Sequence, residues 1–179
     1  MSNDAELKYF KSQGEWSALE SGCTYYETLR GSAQREISID GHRIVSSNVF
    51  DEEHRLCLAE GNVFEDLEPE IEEGIITPID KSEFEQAWAK QLEARRVKWS
   101  AIKDQYVVDT MVTGSIYRFF PQGVIVDLGN RILAVTDHND ALESAGTKPL
   151  LTQDRISGRV AGYDEKFQWI ILAEPVVHK

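Results

Sequence analysis

The chain has 179 residues, 41% of them hydrophobic and 28% charged, with a formal net charge of −12. That length suits one large domain or two small ones that fold without staples, and the net acidity argues against bulk attraction to nucleic acid or to anionic membrane. Two cysteines, Cys23 and Cys57, are too few for a disulfide framework, residues 1–6 lack the basic and apolar regions of a secretory signal, and no apolar run reaches membrane-span length, so a soluble protein of the reducing cytoplasm is expected.

The charge is concentrated. Residues 51–85 carry thirteen acids against two bases, whereas residues 86–105 carry two acids against five bases. Residues 106–179 sum to only −2.

In chain order, residues 4–13 read as a short helix capped by Asp4, with Leu7 and Phe10 on one face. Residues 24–29 are rich in strand formers, and Gly31-Ser32 reads as a turn. Residues 35–39 and 42–46 flank Asp40-Gly41, the pattern of a hairpin with a type I′ turn, and Ile37, Ile39 and Ile44 supply its apolar side. Residues 51–74 are polar and poorly patterned, with room for a short strand at 56–59. Residues 75–79 form an apolar run broken by Pro78, which suits an edge strand.

The clearest helix is expected at about 83–103, with Ser82 and Glu85 as a capping box. Phe84, Trp88, Leu92, Trp99 and Ile102 mark its apolar stripe, which reads as core rather than as an exposed docking face. Arg95, Arg96, Lys98 and Lys103 suit the negative end of the helix dipole. From Tyr106 the period becomes that of strands: 107–118, 123–128 and 131–136, then a longer connection with a helical stretch at 140–144, then 155–163 and 167–172. Three strands, a helix-bearing connection and two more strands is the order of an OB barrel.

Gly114-x-Ile116, Phe119, Gly123-Val124-Ile125-Val126-Asp127-Leu128-Gly129, Leu133-Ala134-Val135, Val160, Asp164 and Ile170-Ile171-Leu172 together resemble the S-one RNA-binding domain family, an OB-fold repeat. The resemblance covers about seventy residues and implies a five-stranded barrel with Ile116, Val126 and Leu172 inside. It also implies a nucleic-acid surface, and there the chain departs from the family pattern. Gln122 and Ile125 stand where members carry exposed aromatics, Val135 where a histidine is common, and Trp169 where a basic residue is common. Tyr117, Phe119, Phe120, Trp169, Arg118, Arg131, Arg155 and Arg159 remain to build a weaker or shifted site. The N-terminal part, through Tyr25-Tyr26-Glu27, Arg35-Glu36-Ile37, Asp40-Gly41 and residues 79–85 with Trp88, resembles small uncharacterised bacterial α+β domains, some of them immunity or toxin-system components.

Catalytic motifs are absent: there is no Gly-x-Ser-x-Gly elbow, Walker loop or Gly-x-Gly-x-x-Gly. Asp137-His138-Asn139-Asp140 reads as a helix cap rather than as a metal ligand or general base. Cys23, Cys57, His42 and His54 fit no zinc spacing. The sequence therefore predicts a non-catalytic binding protein without cofactor or metal. An α+β domain at 1–105 is followed by an S-one-like OB barrel at 106–179. The expected ligand is single-stranded RNA or other nucleic acid, bound weakly through Phe119, Phe120, Trp169, Arg118 and Arg131. The alternative is an immunity- or inhibitor-type interaction module whose acidic stretch, 51–85, meets a basic protein partner.

Overall fold

The computed structural model describes residues 7–13, 22–49, 55–61, 64 and 67–178. The chain divides into two compact units, Met1–Glu93 and Ala94–Lys179. Both are predominantly β.

Among the described residues the first unit is organised by a six-stranded sheet. Its strands are β1 (Leu7–Gln13), β2 (Cys23–Leu29), β3 (Ser32–Asp40), β4 (Arg43–Ser47), β5 (Arg55–Leu56) and β6 (Ile76–Pro78), in the order β5-β4-β3-β2-β1-β6. Two helices accompany it, α1 (Glu68–Glu72) and α2 (Lys81–Ala94). The sheet outweighs the helices, so the expected α+β domain gives way to a β-dominated one.

The largest departure from expectation is β1. Residues 7–13 are a strand, paired with β2 from Leu7↔Leu29 to Gln13↔Cys23 without a break. Helical spacing of Leu7 and Phe10 misleads here because an alternation competes with it. Phe10 and Ser12 are buried on one face, while Tyr9 and Lys11 on the other are only partly so. The two turns also exchange roles. Arg30 and Gly31 both have positive φ (50° and 76°) and close the β2–β3 hairpin, whereas β3–β4 turns through Gly41-His42 with a positive φ at Gly41 alone.

Phe84 and Trp88 of α2 pack on the sheet face that carries Tyr9 and Arg35, with the Tyr9 and Phe84 rings 5.5 Å apart. The opposite face meets Phe64, whose ring lies 6.1 Å from Phe10 and 4.7 Å from Tyr26. The cap of α2 is Asp80, whose carboxylate accepts the Glu83 N–H at 2.8 Å, two residues before the expected Ser82.

The second unit contains α3 (Arg96–Gln105), β7 (Met111–Phe120), β8 (Gly123–Asp127), β9 (Leu133–Thr136), α4 (His138–Ala145), β10 (Arg155–Asp164) and β11 (Trp169–His178). Its strands close into a five-stranded barrel in the order β10-β11-β9-β8-β7, with β10 also paired to β7. Only the β9–β11 pairing among them is parallel. Ile116, Val124, Val126, Ala134, Ile156, Val160, Ile170 and Leu172 fill the interior. Gly114 and Gly123 sit where an added Cβ would collide with the carbonyl oxygens of Asp127 and Thr136, so a side chain at either would push neighbouring strands apart.

The single helix expected at 83–103 is two helices that part at Arg95, and its apolar stripe serves two cores. Phe84 and Trp88 are buried in the first unit, while Trp99 and Ile102 join the barrel cluster. The Trp99 indole N–H donates to Glu165 at 2.8 Å, its ring meets Tyr163 edge-on at 6.0 Å, and the Tyr163 hydroxyl reaches the Tyr106 carbonyl at 2.9 Å. These contacts explain why the units divide between Glu93 and Ala94 and not after Gln105: α3 belongs with the barrel. No helix among the described residues is long and apolar enough to cross a membrane.

Candidate nucleic-acid interface

The β7–β8 hairpin carries the exposed part of the site expected from sequence. A bulge falls at Tyr117, between the pairs Ile116↔Val126 and Arg118↔Ile125. Such a bulge re-aims the residues after it. Arg118 is exposed, and its guanidinium lies 5.2 Å from the centre of the Tyr117 ring. It has no ion-pair partner among the described residues. Phe119 is 41% exposed and meets the His138 ring edge-on at 6.0 Å. An exposed cation and an open aromatic thus follow one another on β7, and with regular pairing from Arg118 to Phe120 their side chains leave opposite faces of the strand.

Trp169 requires a correction. It is 1% exposed, stacked on Phe167 at 4.4 Å with Phe120 6.4 Å away. A base needs an open ring face, so Trp169 cannot serve as a stacking platform. Phe120 is half-buried beside it. Ile125 and Val135, two of the positions that depart from the S-one pattern, are buried as well, and Gln122 is half-buried. Arg131 is exposed in the β8–β9 turn, at the opposite end of β8 from Phe119, so the structure does not bring these two together.

His138 opens α4, and the Asp137 carboxylate accepts the N–H groups of Asn139 and Asp140 at 2.7 and 3.0 Å. The cluster at 137–140 is thus a helix cap. Cys23 is half-buried in β2, Cys57 and His42 are exposed, and His54 lies outside the described residues. Among the described residues no three His, Cys, Asp or Glu side chains lie close enough to hold a metal ion. Of the acidic stretch, Glu68, Glu72 and Glu73 at α1 are exposed, while residues 51–54, 62–63 and 65–66 lie outside the described residues.

Sequence reasoning missed one surface. Thr113 of β7, Arg155 and Ser157 of β10 and His178 of β11 line an open pocket of about 380 Å³. Their union depends on strand register: Arg155 pairs with both Ser115 and His178, and Ser157 with Thr113. Only Arg155 drew notice in the sequence, as a leftover base.

No family model matches the chain, and no curated protein does.

Proposed function

We propose that the C-terminal barrel binds single-stranded nucleic acid, RNA in the first place, weakly and with little sequence preference. The strand order, the parallel β9–β11 pair and the placement of α4 between the third and fourth barrel strands support an OB-type reading, S-one-like in its motifs. Fold by itself does not fix function. The observation that carries the proposal is that Arg118 and Phe119 are both exposed near the end of β7, one group suited to a phosphate and the other to a base. Trp169 has no part in it.

The test is a titration of a fluorescent single-stranded RNA at low and moderate salt, with Arg118→Ala and Phe119→Ala beside the native protein. The expected dissociation constant is on the order of 1–100 µM at low salt and weakens as salt rises. Losing the stacking platform at Phe119 should weaken binding about fivefold or more. If the native protein fails to bind at low salt, where charge contacts are strongest, the proposal falls. The acidic stretch at 51–85 and a basic protein partner then become the reading to pursue, through recovery of one stoichiometric basic protein from lysate.

A further inference from the structure

A chain of hydroxyl and imidazole groups crosses the barrel wall on three neighbouring strands. Thr113 Oγ1 lies 2.8 Å from Ser157 Oγ, which lies 2.8 Å from His178 Nε2. A serine hydroxyl has one proton to give. Ser157 can donate to His178 and accept from Thr113, or donate to Thr113 while accepting from a proton on His178 Nε2, or accept from both. In the second arrangement the Thr113 hydroxyl proton is released from the chain and points its donor capacity at the pocket. Beside this relay, Arg155 stands directly opposite His178 in the β10–β11 register. Arg155 is exposed and, among the described residues, has no ion-pair partner; Arg159, two residues on, is paired with Glu174 at 3.0 Å. Among the described residues that line the pocket none is acidic. The pocket thus collects a guanidinium fork, two hydroxyls and an imidazole on a hydrogen-bonded strand frame, with room for more than one phosphate group.

We infer that this pocket is an oxyanion site for a phosphate group: Arg155 takes two of its oxygens, the Thr113 hydroxyl a third, and Ser157 and His178 hold that hydroxyl in its donating orientation. This deepens the proposed function and rests on it for the source of the phosphate, a backbone phosphodiester of the bound strand, so that the strand would run over β7, β10 and β11 as well as past Phe119.

The experiment uses the full chain and its Arg155→Ala and Ser157→Ala variants, with thermal midpoints confirming that both fold. Two probes are used, a labelled twelve-nucleotide oligouridylate followed by anisotropy across a salt series, and inorganic phosphate followed by the ring NMR signals of His178. Arg155→Ala should weaken oligonucleotide binding roughly fivefold. It should also reduce the magnitude of the salt slope by about 0.7, the share of one phosphate contact on a single strand. Phosphate should shift the His178 signals in the native protein and much less in either variant. Oligonucleotide binding that is unchanged in affinity and slope by Arg155→Ala overturns the inference and leaves the proposed function standing. Phosphate shifts without oligonucleotide binding uphold the oxyanion site and assign it a free phosphate, while removing the nucleic-acid reading. Absence of both effects overturns both.

Discussion

Arg35 and Glu27 form a two-pronged ion pair inside the first unit, Nε to Oε1 at 2.8 Å and Nη2 to Oε2 at 2.5 Å, with both side chains 2% exposed. The guanidinium also bonds Glu85 and lies 4.6 Å from the centre of the Phe84 ring and 5.1 Å from that of Trp88. Burial by itself would lower the pKa of Arg35, but its bonds to Glu27 and Glu85 outweigh that and hold it above the ordinary value. Replacing Arg35 with methionine strands a buried carboxylate and should cost about 3–5 kcal/mol. Replacing Glu27 with leucine as well should recover most of the loss. Urea unfolding of the two single variants and the double variant checks this, and additive losses would show that the pairing is not what the site depends on.

Glu36 supplies a pH dependence of known sign. Burial raises its carboxyl above the ordinary 4.5, against the Ala59 N–H bond at 2.6 Å and a bond from Cys57, which lower it. Tyr26, opposite it in the sheet, has its hydroxyl pushed up to about 12, chiefly by burial. The folded chain therefore holds the Glu36 proton to higher pH than the unfolded chain does. The contribution of this group to stability is greatest below 4.5 and declines as pH rises through the raised value. Glu36→Gln should remove that decline, so its urea midpoint gains on the native protein as pH rises toward neutrality. Parallel curves for the two proteins would contradict it.

The barrel unit should need α3. A chain beginning at residue 94 keeps Trp99 and Ile102 in the barrel core, and one beginning at residue 106 loses both. The shorter chain should be less stable by at least the roughly 3–5 kcal/mol of a deleted core tryptophan. Thermal or urea unfolding of the two fragments decides this, and equal stability would show that the barrel is complete without the helix.

Trp169 and Phe119 should separate stability from binding. Trp169→Ala removes a buried ring stacked on Phe167 and should cost about 3–5 kcal/mol of stability. Phe119→Ala, at an exposed position, should leave the unfolding midpoint nearly unchanged while weakening RNA binding. Thermal melts beside anisotropy titrations make the comparison, and a stable Trp169→Ala protein with weakened binding would restore the tryptophan to the interface.

How far the sequence reveals this molecule varies by element. Most strands between residues 111 and 172 are legible because side chains alternate on a wall with one face in the core. The break between α2 and α3 is not, because Arg95 is an ordinary helix former and the apolar spacing continues across it; only the packing of Trp99 and Ile102 into the barrel core reveals it. Arg118 and Phe119 are neighbours in the chain, so their succession on one strand is visible in advance. The burial of Trp169 is not, since outward-facing positions on a strand are covered or open according to elements elsewhere in the chain. Thr113, Ser157 and His178 come together only through the register of three strands, which a single sequence does not state.

The six-stranded sheet ends at β5, two residues long, and at β6, three residues long and closing on Pro78. Pro78 has no N–H to offer a newcomer. The barrel, being closed, offers no border at all. Among the described residues the margins are short ladders, since β6 has three residues and β5 covers only Ser46 and Ser47 of β4, leaving residues 43–45 as the longer open stretch, so templated stacking, the standing hazard of a chain this rich in strands, finds little to extend.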